Sequence, residues 1–359
     1  MQNEKQFPPS LQGKSGWPWV SQPGKAPSNL ELPRITIVTP SYNHADYLEE
    51  TIRSVLLQDY PNLEYFIIDG GSTDGSLEII EKYEPWLAGW VSEKDRGQSN
   101  AINKGFSWAT GDWMGWVNSD DCLAPSALYN LIRVANTARA SFVYGACVQF
   151  GAAIPVPLLK NPGRQAFDSE LITLIDLIDQ PAALWKRQLF TECGPLAENL
   201  NYVFDWDFFI KCALKGKGIF CPYLVAAYRL HSDNKTLSGG VRRSEEILSI
   251  SLKYIPDKFK EKFIRTIPLI KFLAGLSARR QEMPWFAKKL IGLIFLPFSK
   301  CWFLEFFGLP TEVWSGHGVT NCREKELLII KHAINPASTV AEALSCFEDE
   351  VAKLDIFDT

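Results

Sequence analysis

Residues 113–121 read Trp-Met-Gly-Trp-Val-Asn-Ser-Asp-Asp, an apolar run that breaks directly into two adjacent carboxylates, Asp120 and Asp121. A buried strand that ends in paired acids puts negative charge at the rim of a sheet, where it is costly unless something positive sits on it. A divalent metal, a buried arginine or a solvated turn each meets that demand.

The strand-plus-polar-end pattern recurs along the first third of the chain. The β-branched run Ile35-Thr36-Ile37-Val38-Thr39 stops at Pro40-Ser41-Tyr42-Asn43. Helical spacing follows from about 46 to 58, with Leu48, Ile52, Val55 and Leu56 on one face. Residues 63–68 predict a second strand ending at Asp69-Gly70-Gly71-Ser72-Thr73-Asp74-Gly75, and Leu77, Ile80 and Tyr83 resume helical spacing. A short third strand over 89–92 precedes Glu93-Lys94-Asp95-Arg96-Gly97-Gln98, and a helix over 101–109 leads into the strand that reaches Asp120. Strands alternating with helices predict a parallel sheet. Ligands of such sheets bind in the crevice beyond the carboxyl ends of the strands. Every polar cluster above lies at such an end, so one pocket is expected to collect Tyr42, Asp69, Asp74, Arg96, Asp120 and Asp121.

At 359 residues the chain exceeds one average domain, which predicts one large catalytic domain with an appendage. The net charge of −4 argues against a general nucleic-acid binder, and no nucleic-acid partner is expected. Eight cysteines without a Cys-x-x-Cys pair suit reduced, buried thiols in a cytosolic chain. The first residues carry no apolar h-region, so no signal peptide is expected. Residues 1–33 are rich in Pro, Gly, Ser and Gln, with Trp17 and Trp19 as bulky anchors; they read as an extended arm or linker docked through those two rings.

Four segments occur in order: Thr39-Pro40-Ser41-Tyr42-Asn43, Ile67-Ile68-Asp69-Gly70-Gly71-Ser72-Thr73-Asp74-Gly75-Ser76, Gly97-Gln98-Ser99-Asn100-Ala101-Ile102-Asn103-Lys104-Gly105 and Asn118-Ser119-Asp120-Asp121. Together they resemble an inverting family 2 glycosyltransferase over about residues 34–235. The resemblance implies an α/β chain with the GT-A nucleotide-diphospho-sugar transferase fold: a mainly parallel central sheet flanked by helices, with a C-terminal helical appendage. It divides the chain into an N-terminal arm (1–33), a catalytic domain (34–240) and a helical region (241–359).

The implied donor is a nucleoside diphosphate sugar. Pro40, Tyr42, Asn43, Asp69, Asp74, Arg96, Asp120 and Arg229 are the residues expected to bind it, Tyr42 by stacking on the base and Asp69 by accepting hydrogen bonds from base or ribose. The leaving diphosphate gains negative charge, which a divalent cation stabilises. Carboxylate oxygens suit Mg2+ or Mn2+. The family pattern makes Asp121 the usual metal ligand, with Asp120 facing the ribose or a metal-bound water. Tyr228-Arg229-Leu230-His231 matches the Arg-x-His of several members, in some of which the histidine completes the metal site, so His231 joins Asp121 and Asp120 as a metal candidate.

Inversion needs a base on the face opposite the leaving group. Asp205, in Phe204-Asp205-Trp206-Asp207, matches the aspartate assigned as base, and Trp206 is expected to wall the acceptor side. Asp205 also reads as a helix cap, and Asp207 as a first-turn acid favoured by the helix dipole. Three departures from the family pattern each remove an acid: Gly70 follows Asp69, Asn118 stands at the first acid of an Asp-x-Asp, and Asn100 precedes Ala101.

From 242 to 300 the chain holds 13 Lys or Arg against 5 Asp or Glu, a local excess of +8, so the remainder carries −12. Residues 264–276 and 286–309 are apolar and aromatic-rich, yet the longest uncharged run, 290–299, is ten residues, short of the ~20 that a spanning helix needs. This predicts a helix lying on an anionic membrane surface or packing on the catalytic domain. The expectation is a cytoplasmic glycosyltransferase, peripheral on the inner face of the plasma membrane, that passes sugar to a saccharide or lipid-linked acceptor in cell-surface polysaccharide biosynthesis. A catalytically silent nucleotide-sugar-binding or scaffold protein is the rival reading. A sugar-1-phosphate nucleotidyltransferase lacks support, because Pro40-Ser41-Tyr42-Asn43 is no Gly-rich phosphate loop.

Overall fold

The computed structural model describes residues 7–20, 31–152, 158–160, 167, 169–235, 239–278 and 339–345. The apolar segment 286–309, most of the acidic tail, and residues 236–238 of the loop after His231 lie outside the described residues.

The first half of the domain is a run of strand–helix units: β1 (Ile35–Ser41), α1 (Ala45–Leu56), β2 (Leu63–Asp69), α2 (Ser76–Tyr83), β3 (Gly89–Ser92), α3 (Gln98–Trp108) and β4 (Trp113–Trp116). All pairings among β3, β2, β1 and β4 are parallel. β1 lies inside this group and is buried along its whole length. That is why it reads as a continuous β-branched run and does not alternate with polar residues. The second half adds β5 (Cys122–Leu123), α4 (Ala127–Ala138), β6 (Phe142–Phe150), β7 (Leu158–Lys160), β8 (Ala183–Lys186), α5 (Arg187–Cys193), α6 (Phe204–Lys215) and β9 (Gly218–Arg229). The nine strands form one sheet in the order β3-β2-β1-β4-β8-β6-β9-β5, with β7 on β6. β8 runs antiparallel between β4 and β6, so the sheet is mixed beyond its parallel half.

Alternating side chains sort the core into two faces. Ile37, Tyr65 and Ile67 join α1, α2 and α4 on one face. Val38, Phe66 and Ile68 join α3, α5 and α6 on the other. Gly105 lets α3 approach closely, since a Cβ there would lie 2.5 Å from Val38 Cγ1.

Three further helices follow: α7 (Gly240–Tyr254), α8 (Asp257–Ala278) and α9 (Val340–Ser345). Leu248, Ile255 and Phe263 form a satellite core with Leu174. Among the described residues no helix is long and apolar enough to cross a membrane. Trp17 and Trp19 of the N-terminal arm are buried, and Trp17 shares a core cluster with Val340 and Leu344 of α9. The described cysteines, Cys122, Cys147, Cys193, Cys212 and Cys221, are free thiols.

Candidate active site

The strand pairing explains how distant acids and cations meet. β4 ends at Trp116, and a turn closed by Asp121 N–H donating to Asn118 O (3.0 Å) feeds β5. β5 pairs antiparallel with β9, Cys122 opposite Ala227, which sets Arg229 and His231 beside the two acids.

The neighbouring acids engage different partners. Asp120 Oδ2 lies 3.1 Å from His231 Nε2 and accepts from Asn234 Nδ2 at 3.1 Å. His44, at the start of α1, completes this corner. One ligand atom from each of His44, Asp120 and His231 lies within 4.8 Å of the others. His44 Nδ1 is 2.7 Å from Ser119 Oγ, and His231 Nδ1 is buried without a hydrogen-bond partner among the described residues. Asp121 is fully buried; its Oδ1 accepts from Arg229 N–H (3.0 Å) and its Oδ2 from Asn118 Nδ2 (3.2 Å). Burial, then the neighbouring Asp120 charge, pushes the Asp121 carboxyl well above the usual range, with the Arg229 and Asn118 bonds opposing. Asn118 therefore donates to Asp121 where a third carboxylate would repel it. Asp121, expected as the principal metal ligand, has both carboxylate oxygens bonded to protein donors that brace the turn. The cluster of possible ligand atoms is His44, Asp120 and His231.

Arg229 also differs from its expected contact with the donor. It is buried, its guanidinium pairs with Glu50 Oε2 at 2.5 Å and donates to Asp120 O at 3.1 Å, and it lies over the Tyr47 and Phe150 rings. Of the answers to paired acids at a strand end, the buried arginine is present, and it bonds to the acids through backbone atoms.

Among the residues expected to bind the donor, Tyr42 is 61% exposed at the end of β1, an open aromatic face. Pro40 is buried in β1 opposite Ile68. The buried Asp69 carboxylate accepts from Gly71 N, Ser72 N, Ser72 Oγ and Ser92 Oγ, which shapes the turn after β2 and leaves its oxygens occupied by protein donors. Asn43 takes a positive φ of 52°, and its Oδ1 accepts from Thr73 N–H. Asp74 accepts from Ala45 N–H and Ser76 N–H, so it caps α1 from another segment as well as starting α2. Desolvation works against the Asp74 charge, but these bonds outweigh it and hold the carboxyl below its ordinary value. Arg96 is exposed but pairs with Glu198 at 2.7 Å. Gly70 packs closely against two side chains: a Cβ there would lie 2.7 Å from Asp95 Oδ2 and 3.3 Å from Tyr42 Cδ2. Where the family pattern has a second acid after Asp69, the Asp95 carboxylate lies against Gly70.

Asp205 sits in the first turn of α6 and accepts from Trp206 N–H at 2.8 Å; Val203 is the N-cap residue. Burial raises the Asp205 carboxyl to about 7, Asp176 adds to the rise, and the Trp206 and Asp205 N–H groups and Arg243 oppose it. Asp207 is held below its ordinary value despite its burial, by Lys211, Lys253 and Tyr254. It ties α6 to α7 through Lys253 Nζ (2.9 Å) and Tyr254 Oη (2.8 Å). Trp206, expected to wall the acceptor pocket, is a core residue whose Nε1–H donates to Ile172 O at 2.7 Å. Asn234 binds Asp120, and next to it Lys235 has its ammonium depressed by burial while the charges of Asp95, Glu246 and Asp205 support it.

Sequence reasoning missed His44, Glu50, Asp95, Asn234 and Lys235. Asp95 stands in a strand-end cluster already singled out and His44 directly follows another, so their position was readable. Glu50 lies within an amphipathic helix and carries no local mark of its role.

Residues 36–169 match the model of glycosyl transferase family 2. An uncharacterized glycosyltransferase of Rickettsia typhi is 25% identical over 243 residues, 66% of this chain and 76% of the relative. A PGL/p-HBAD biosynthesis glycosyltransferase of Mycobacterium bovis is 29% identical over 190 residues, 51% of this chain and 71% of the relative. The mannosyltransferase PcManGT from Pyrobaculum calidifontis, solved with GDP-Man and Mn2+, superposes with a TM-score of 0.52 at 22% identity, covering 79% of this chain and 87% of that one, and shows the shared fold. The ordered motifs, the strand order and the family match agree: this α/β chain has the GT-A fold, and its residues 36–169 carry the sequence pattern of glycosyl transferase family 2, a family of glycosyltransferases.

Proposed function

We propose that this glycosyltransferase uses a nucleoside diphosphate sugar and a divalent cation, and transfers the sugar with inversion to a hydroxyl of a glycan or lipid-linked saccharide. The observation that carries the reading is the His44–Asp120–His231 cluster beyond β4, beside the exposed Tyr42 ring. The donor set fits a cation: a carboxylate and two imidazoles converge, and one buried imidazole nitrogen, His231 Nδ1, has no protein partner among the described residues. Two imidazoles beside one carboxylate favour Mn2+ over the harder Mg2+. A cation held there supplies charge stabilisation to the departing diphosphate.

In this reading Tyr42 stacks on the base, and Asp95 beside Gly70 accepts from its polar edge. Lys235 faces the diphosphate side and Asp205 the acceptor. The acceptor oxygen attacks the anomeric carbon as the bond from that carbon to the diphosphate oxygen breaks, and the hydroxyl proton passes to Asp205. A base that titrates near neutrality is suited to this step. The name of the mycobacterial relative supports an acceptor from envelope glycolipid chemistry. The +8 excess over 242–300 supports peripheral attachment to an anionic membrane surface through the region after 240.

A panel of UDP-, GDP- and dTDP-sugars screened by thermal shift, with and without Mn2+, tests the reading. Ligands that bind the native state alone raise the melting point. The expected result is one base class that stabilises the protein and does so more strongly with Mn2+. No stabilisation by any nucleotide sugar under either condition overturns it.

A further inference from the structure

The N-terminal arm lies outside the family match, yet a continuous chain of polar contacts runs from it to both acids of the site. Trp19 Nε1–H donates to Glu50 Oε1 at 3.0 Å, and Lys14 Nζ lies 3.5 Å from the same oxygen. The other oxygen of Glu50 takes the Arg229 guanidinium at 2.5 Å. Arg229 in turn donates from Nε to Asp120 O and from its backbone N–H to Asp121 Oδ1. Trp19, Glu50 and Arg229 are all buried.

The arm is held firmly where it makes this contact. Arg53 donates to the carbonyls of Pro8, Pro18 and Trp19, and its guanidinium lies 5.0 Å from the centre of the Phe7 ring and 5.1 Å from that of Trp19. Trp17 Nε1–H reaches Leu123 O, two residues beyond Asp121. Helix α1 completes the brace, since Thr51 Oγ1–H donates to Asp121 O at 2.7 Å.

The geometry points to residues 14–19 as a positioning element of the metal and diphosphate centre, acting through Trp19, Glu50 and Arg229. Glu50 offsets the Arg229 charge while the guanidinium holds the Asp120 backbone. Trp19 fixes which way the Glu50 carboxylate turns. Outer contacts that orient ligands are a general determinant of metal affinity. The inference rests on reading the His44–Asp120–His231 corner as a cation site.

The test uses full-length Trp19→Phe, which keeps the ring and removes the donor, and Glu50→Gln. Tyr129→Phe, which removes the bond from Tyr129 Oη to Asp59 O outside this chain of contacts, is the stability control. Mn2+ affinity is read by electron paramagnetic resonance, and hydrogen–deuterium exchange is followed at peptides covering 118–124 and 229–235. Glu50→Gln is expected to weaken Mn2+ binding about 10- to 100-fold and Trp19→Phe about three- to tenfold, with faster exchange confined to those two peptides. Tyr129→Phe is expected to change neither readout there. Wild-type affinity and wild-type local exchange in both variants overturn the proposal, as does faster exchange spread over the whole chain. A wild-type protein that binds no Mn2+ overturns the metal reading alone, and local exchange then decides the positioning role. If Glu50→Gln does not fold, Trp19→Phe carries the same decision.

Discussion

Asp120 Oδ2 and His231 Nε2 lie 3.1 Å apart across 111 residues of sequence, while Asp121, one residue on, points its carboxylate to Arg229 N–H and Asn118. The two adjacent acids thus have different partners: Asp120 meets the imidazole corner and Asp121 holds the turn.

The first prediction separates them. Asp120→Ala should abolish Mn2+-dependent nucleotide binding at the smaller cost in stability of one stranded amide, that of Asn234. Asp121→Ala should instead cost stability, because it strands the buried Arg229 N–H and the Asn118 amide; about 1–3 kcal/mol is expected for each such group. Calorimetric titration and thermal melts of both variants check this. Equal loss of stability in the two would remove the distinction.

A second prediction concerns the base. Asp205→Asn keeps size and hydrogen bonding and removes basicity, so kcat should fall ~100- to 10,000-fold with donor affinity retained. Asp207→Asn should keep most of its activity but lose stability, since Asp207 is buried among Lys211, Lys253 and Tyr254. Steady-state kinetics beside melts decide it. A dead Asp207→Asn with an active Asp205→Asn would move the base by two positions.

The third follows from the carboxyl of Asp205 titrating at about 7 in the folded chain against an ordinary 3.8. The base form is the ionised one, so kcat/KM should rise with pH and level off above about 7. For stability the sign is opposite. A carboxyl whose folded value is raised favours the native state below its ordinary value, and that contribution is lost as pH rises through about 7. Asp205→Asn should therefore match the wild type in melting temperature near pH 4 and exceed it increasingly up to pH 8. A difference that is flat or reversed with pH would count against a partly buried, proton-holding Asp205.

The fourth concerns the basic region after 240. Its +8 excess predicts co-sedimentation with anionic liposomes that declines with salt, as screening shortens the reach of surface charge. Equal binding to neutral and anionic vesicles, or none, would argue instead for a helical region that only packs on the catalytic domain.

The parallel half of the sheet was legible in the sequence because each strand carries its own signal: an apolar β-branched run, a polar stop and a helical repeat that follows. Tyr42 at the end of β1 and Asp120 after β4 were placed by the same local logic, since strand ends in such sheets face one crevice. What needed the tertiary structure is every role set by a partner far along the chain. Asp69, Asp74 and Asp121 look alike in sequence as strand-end acids, and only the folded chain gives their oxygens to protein donors while leaving Asp120 to His231 and His44. The same holds for Glu50, an unmarked acid in an amphipathic helix until β9 brings Arg229 to it and the arm brings Trp19. Periodicity is a property of neighbours in the chain and so survives in the sequence. The fate of a buried charge depends on which opposite charge or donor the fold carries to it, and that is written only in the contacts between strands and segments remote from one another.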